Sequence, residues 1–145
     1  MITHEQIQHY LQQLVDILKL EKWDISYSIV DYTMNEESKA RNKVDYSYLN
    51  AEITIDRDKI SNEDDLLDTL IHELLHLFQS PFFRFIDLVE SSIMQNAQLQ
   101  SVLLMAWHDS LEENNVMMCR LVTNGIKEQL LPFKPKKKTS KRKKK

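Results

Sequence analysis

The chain contains very little glycine, proline and cysteine, and these scarcities exclude several classes of protein. Its 145 residues include one Gly, three Pro and one Cys. A single glycine rules out the Gly-rich loops that bind phosphates and dinucleotides. One cysteine rules out an internal disulfide and any zinc site built from several thiolates. No apolar run approaches the roughly 18 residues that a membrane helix needs. We therefore expect an intracellular protein with no membrane partner.

The length predicts one domain with its own core, and the charges divide the chain into two parts. Nine of the 19 Lys and Arg residues lie in residues 134–145, which contain no acidic residue. Residues 1–133 therefore hold ten basic residues and 22 acidic ones. The net charge of this part is −12, and that of the tail at 134–145 is +9. Because the tail has no apolar side chain to bury, we predict a domain at 1–133 followed by a disordered basic tail at 134–145.

The basic tail is a candidate arm for nucleic acid, since its cations could neutralise phosphates without reading sequence. A solubilising tail, or an arm that folds back on its own acidic domain, would have the same composition. The candidate nucleic-acid-binding residues are Lys136, Lys137, Lys138, Lys141, Arg142, Lys143, Lys144 and Lys145.

Hydrophobic periodicity predicts an α+β domain with an N-terminal helix, a small three-stranded sheet and C-terminal helices. Thr3 and Gln6 form a capping box at the start of a helix that we expect to run from His4 to Lys19. The other predicted elements, in chain order, are a strand at 23–29, a hairpin of 42–48 and 51–56, a helix with its N-cap at Ser61, a helix beginning at Phe82, and a long helix at 98–123 that ends near Asn124-Gly125.

The most informative stretch is His72-Glu73-Leu74-Leu75-His76, which lies in an apolar segment with helical spacing. Residues four apart lie on one face of a helix, so both imidazoles can bind a single metal ion. Glu73 is the residue after His72, and from this position it can take a proton from a water molecule bound to such an ion. A chance match and a pair of hydrogen-bonded core histidines are the alternatives. Burying these groups without a metal would cost on the order of 2 kcal/mol or more per unpaired group.

This pattern resembles the zincin metallopeptidases, whose zinc helix carries His-Glu-x-x-His. The metzincin branch continues with Gly and a third His, but the chain has Gln79 and Phe82 at those positions. The remaining resemblance is to a minimal gluzincin or a SprT-like domain, of a size common in phage and mobile-element genomes. It implies a zincin-like fold, a bound Zn²⁺ ion and a strand before the zinc helix that lines the substrate cleft.

A catalytic zinc site needs a third protein ligand and an open position for water. The long helix at 98–123 offers His108, Glu112 and Glu113 as candidates. Its apolar face places Glu112 about a quarter turn from the centre of that face and Glu113 nearly opposite. Glu112 is therefore the first candidate, and the gluzincin resemblance also implies a glutamate. His108 and Glu113 remain alternatives, since a SprT-like site would use a histidine.

These features predict an enzyme that hydrolyses peptide bonds, with Zn²⁺ held by His72, His76 and Glu112 and with Glu73 as general base. Its substrate would be a peptide or protein, held by main-chain pairing with the strand at 51–55.

Tyr46 and Tyr48 could bind a developing oxyanion, but aromatic residues at strand spacing more often belong to the core. One alternative is a protease that cuts DNA-associated proteins or a repressor. Another is a non-catalytic nucleic-acid-binding module in which zinc is structural.

Overall fold

The computed structural model describes residues 2–30, 38–79, 82 and 97–134. Within these ranges the protein combines three α-helices with one three-stranded sheet. The elements are α1 (His4–Leu18), β1 (Asp24–Val30), β2 (Ala40–Asp45), β3 (Asn50–Asp56), α2 (Glu63–Leu75) and α3 (Ala97–Lys127), with 3₁₀ turns at Arg57–Lys59 and His76–Gln79. The predicted mixture of helices and a small sheet is therefore confirmed. The predicted helix from Phe82 onward lies outside the described residues, apart from Phe82 itself.

The N-terminal helix has the capping box that its sequence predicts. The Thr3 hydroxyl accepts a hydrogen bond from the Gln6 N–H at 3.2 Å, and the Gln6 side chain accepts one from the Thr3 N–H at 3.1 Å. Lys19 closes the helix in the left-handed region, at φ 58°. Four residues on one face are buried, namely Ile7, Tyr10, Leu11 and Leu14. This face packs into a single core with α2 and with one face of the sheet.

The sheet has the strand order β1-β3-β2, with β3 parallel to β1 and antiparallel to β2. The predicted hairpin is confirmed, although its first strand is displaced: β2 begins at Ala40 and ends at Asp45. Tyr46 and Tyr48 therefore lie in the connecting turn, where Tyr48 is 77% exposed. The turn is closed locally, because the Asp45 side chain accepts hydrogen bonds from the N–H groups of Ser47 and Tyr48.

The start of α2 is set by Asn62 and not by Ser61, so the predicted N-cap is wrong by one residue. The Asn62 side chain accepts from the Asp65 N–H at 2.9 Å, and the Asp65 carboxylate accepts from the Ser61 N–H at 2.9 Å. The first bond satisfies a backbone donor that a helix N-terminus leaves unpaired, and the second fixes the residue before the N-cap. Lys39, which precedes β2, also pairs with Asp65. The ion pair ties the beginning of α2 to the edge of the sheet.

The long helix α3 continues beyond its predicted end at Thr123 and runs through Asn124-Gly125 to Lys127. A glycine in a helix costs about 1 kcal/mol relative to alanine. The next turn offsets this cost, because Ile126 is buried in the core and Lys127 pairs with Asp68 at 2.7 Å. Tertiary packing therefore overrides the local stop signal.

Among the described helices, none is long and apolar enough to cross a membrane.

The contacts of Asp65 predict how the stability of α2 depends on pH. Although burial opposes it, hydrogen bonding and charge from Lys39, with the Ser61 N–H, lower the pKa of Asp65 below its ordinary value of 3.8. A carboxyl whose pKa is lowered on folding stabilises the fold above its unfolded pKa, and this stability is lost as the pH falls through the folded pKa. Asp65→Asn should therefore reduce the free energy of unfolding by about 1 kcal/mol at pH 7 and by almost nothing at pH 2.

Urea denaturation at the two pH values measures this difference. The matched control is Asp58→Asn, which changes an exposed carboxylate in the preceding 3₁₀ turn. An equal loss of stability in the two variants at pH 7 would contradict the role assigned to Asp65.

Candidate metal centre

Three side chains from α2, its 3₁₀ extension and α3 bring their donor atoms together. The Nε2 atoms of His72 and His76 lie 3.3 Å apart. The two carboxylate oxygens of Glu112 lie 3.1 Å from His72 Nε2 and 3.4 Å from His76 Nε2. Each of the three residues thus offers one ligand atom, and these atoms all lie within 4.8 Å of one another. The structure therefore brings together the three residues that the sequence favoured as ligands.

The other two candidates for a third ligand are not part of this cluster. His108 and Glu113 are exposed on α3, and the metal-ligating group found among the described residues contains neither. Successive residues of a helix are separated by about 100°, so Glu113 is directed away when Glu112 faces α2. The geometry agrees with the helix rotation inferred from the apolar face of α3.

Two buried amide side chains fix α3 against α2 in this rotation. The Asn115 Nδ2 donates to the His72 carbonyl at 3.0 Å, and the Gln79 Nε2 donates to the Leu111 carbonyl at 2.9 Å. Asn115 is fully buried and Gln79 is 4% exposed. Sequence reasoning missed both residues. The available signal was an asparagine at position 115, between Leu111 and Cys119 on the apolar face of α3.

The cluster is compact enough to hold a metal ion. Zinc binds imidazole nitrogen and carboxylate oxygen at about 2.0–2.2 Å, so adjacent ligand atoms around a tetrahedral ion lie about 3.3–3.6 Å apart. The two Nε2 atoms, 3.3 Å apart, agree with this spacing, and Glu112 directs a different carboxylate oxygen to each of them, at 3.1 and 3.4 Å. Two imidazoles and one carboxylate also form a donor set typical of catalytic zinc, with one position left for water.

Burial supports the protonation state that a metal ligand requires. Desolvation lowers the pKa of His72, and the neighbouring His76 adds to this effect while Glu112 opposes it. Since the pKa is lowered below its ordinary value of 6.5, the imidazole is neutral at pH 7 and can offer a lone pair.

Glu73 lies beside this cluster and is only 7% exposed. Burial raises its pKa to about 7, and the charge of Glu112 contributes in the same direction. Its carbonyl accepts a hydrogen bond from the Asn42 side chain at 2.8 Å, which fixes this turn of α2 to β2. A carboxyl group with a pKa near neutrality is well matched to accept and return a proton.

The cluster opens into a cavity of about 370 Å³ between β2 and the two helices. Its lining comprises Ser38, Ala40, Arg41, Asn42, Val44, Tyr46, His72, Glu73, His76 and Glu112. The predicted role of residues 51–55 in holding a peptide is wrong, because they belong to β3, which is already paired on both edges. The strand that lines the cavity is β2, which is an edge strand of the sheet formed by the described residues.

Tyr46 packs against a core aromatic residue and also faces the cavity. Its ring makes an edge-on contact with Trp23, with centroids 6.1 Å apart, and its side chain also lines the cavity. Burial raises the pKa of its hydroxyl to about 12, so that the group keeps its proton at neutral pH. Tyr48 does not line this cavity.

The basic residues proposed to bind nucleic acid, Lys136 to Lys145, lie outside the described residues.

Comparisons of the chain with known protein families, with curated proteins and with solved structures found no match. The candidate centre therefore stands on its own geometry and on the chemistry of its residues.

The geometry predicts about one metal ion bound per chain, which the zincin resemblance identifies as Zn²⁺, and this ion should be lost when both histidines are changed to alanine. Glu112→Ala removes a direct ligand, so its zinc affinity should fall by more than the roughly 10–100-fold typical of losing an outer hydrogen-bond partner. Competition with a chromophoric chelator measures this affinity. Glu113→Ala is the matched control, since the neighbouring glutamate is exposed and outside the cluster. Equal losses in the two glutamate variants would show that Glu112 is not a ligand.

Proposed function

We propose that the protein is a zinc-dependent metallopeptidase. The observation that carries this proposal is the convergence of His72, His76 and Glu112 beside a buried glutamate, in a cavity bordered by the edge of a sheet. The resemblance of residues 72–76 to the zincin motif supports the same reaction. A zincin-like fold is part of the proposal.

His72, His76 and Glu112 would hold the ion. When bound, zinc supplies Lewis-acid polarisation of the scissile carbonyl and lowers the pKa of a water molecule to about 7. Three protein ligands would leave one coordination position for water, which suits a catalytic site better than a structural one.

Glu73 would act as the general base. Its pKa, raised to about 7 by burial, lets it take a proton from the attacking water near neutral pH and pass the proton to the leaving amine. The low exposure of the carboxyl limits competition from bulk water for that proton.

The edge strand β2 would bind the substrate backbone. Its six residues extend for about 20 Å beside the metal ligands, so an extended peptide could pair with its outer edge. Tyr46, at the end of this strand, would retain a hydroxyl proton to donate to the oxyanion that develops on the scissile carbonyl.

The charge division of the chain favours a more specific alternative within this function. Residues 134–145, with a net charge of +9, follow an acidic domain. This tail would direct the protease to nucleic acid, and so to DNA-associated proteins or a repressor. A non-catalytic nucleic-acid-binding module with structural zinc is the alternative from another class. The open cavity and the raised pKa of Glu73 favour the enzyme, because a structural zinc needs neither.

The Glu73→Gln variant distinguishes the proposed peptidase from the non-catalytic module. The variant should retain its fold and bound zinc, since Glu73 does not belong to the ligand cluster, while peptide hydrolysis falls by about 10²–10⁴-fold without the base. The measurement is cleavage of a fluorogenic peptide library by zinc-loaded protein. Glu113→Gln, which changes an exposed carboxylate, is the matched control.

Unchanged hydrolysis in Glu73→Gln would rule out the proposed base. A wild-type protein that binds zinc but cleaves no member of the library would favour the non-catalytic module.

A further inference from the structure

Each histidine of the candidate centre uses Nε2 toward the cluster, so its Nδ1 faces a different partner. A neutral imidazole has one protonated nitrogen and one free lone pair, and binding a metal through Nε2 requires the proton on Nδ1. The partner at Nδ1 therefore decides whether the histidine is ready to bind metal. The two histidines differ in this partner.

His76 is fixed by a chain of hydrogen bonds that permits only one arrangement. The Leu111 carbonyl can only accept, so the Gln79 amide must direct its NH₂ group to it, at 2.9 Å. The Gln79 Oε1 then lies 3.1 Å from His76 Nδ1. Because Oε1 can also only accept, Nδ1 must carry the proton. The Nε2 lone pair of His76 consequently points into the cluster.

His72 has a partner that does not impose this choice. Its Nδ1 lies 3.7 Å from the Cys119 sulfur. A thiol is both a weak donor and a weak acceptor, and it suits either tautomer of the imidazole.

We propose that Gln79 is a positioning residue that holds His76 in the metal-binding tautomer, whereas Cys119 leaves His72 able to exchange between tautomers. The inference depends on the metal centre of the proposed function but not on peptide hydrolysis. In the metal-free protein, the proton on His72 Nε2 can donate to Glu112 or to the His76 lone pair, at 3.1 and 3.3 Å. Binding of zinc then requires a proton shift at one histidine only.

Nuclear magnetic resonance of the metal-free wild-type chain tests the inference without any substitution. Long-range ¹H–¹⁵N correlations at pH 8 distinguish the two tautomers of each neutral histidine. We expect His76 to be protonated at Nδ1 and His72 to populate the Nε2-protonated form. An Nε2-protonated His76 would overturn the role of Gln79, and a His72 found only in the Nδ1-protonated form would overturn the asymmetry.

Metal affinity provides the second readout. Gln79→Met keeps a side chain of similar length but removes the acceptor, so the Zn²⁺ affinity should fall by about 10–100-fold and His76 should show both tautomers. Cys119→Ala is the control and should change the affinity by less than about threefold, since a thiol sulfur accepts only weakly. Chelator competition measures both variants.

An unchanged zinc affinity in a folded Gln79→Met variant would refute the proposal. If Gln79→Met does not fold, the tautomers of the wild-type protein decide the question alone. A wild-type protein that binds no zinc would refute the proposed function, and the tautomer of His76 could still be measured.

Discussion

The contact between α2 and α3 is the constraint on which the candidate site depends. Only one rotation of α3 brings Glu112 to both histidines, and a shift by one residue, about 100°, would direct Leu111 or Glu113 there instead. Two buried amides specify this rotation through their hydrogen bonds to main-chain carbonyls, Gln79 to Leu111 and Asn115 to His72. Leaving a buried donor unpaired costs about 1–3 kcal/mol, so a rotated packing would lose both bonds and is strongly disfavoured. The ligand set is thus selected by residues that bind no metal.

The site is not optimised for stability. Glu73 is a buried carboxyl whose raised pKa records the cost of ionising it in place. Asn42 and Asn115 each have a buried Oδ1 with no hydrogen-bond partner among the described residues. The apolar core on the other side of α2 offsets these costs, since Leu66, Leu70, Ile71 and Leu74 are fully buried against α1 and the sheet. One helix therefore stabilises the fold with one face and carries the candidate metal ligands on the other.

The features that the sequence predicts well are those determined within a few residues of the chain. The capping box of α1, the alternation of the hairpin and the spacing of His72 and His76 are local, and the apolar face of α3 was sufficient to favour Glu112. The amide side chains of Asn42, Asn115 and Gln79 bind carbonyls that are 31, 43 and 32 positions away, and no local pattern identifies such partners. The continuation of α3 through Gly125 has the same origin, because the burial of Ile126 is a tertiary effect. The role of β2 as the edge strand at the cavity depends on sheet order, which periodicity does not specify.

The two walls of the cavity are fixed to consecutive residues of the same helical turn. The His72 carbonyl accepts from Asn115 of α3, and the Glu73 carbonyl accepts from Asn42 of β2. These carbonyls lie just before the helix tightens into its 3₁₀ extension at His76, where regular α-helical partners are lost. The side-chain amides satisfy acceptors at the helix end and also set the width of the cavity. Catalytic groups must be held within about 0.5 Å of their productive positions. Because the candidate ligands, Glu73 and β2 are joined at this one turn, moving either wall would break one of these two hydrogen bonds.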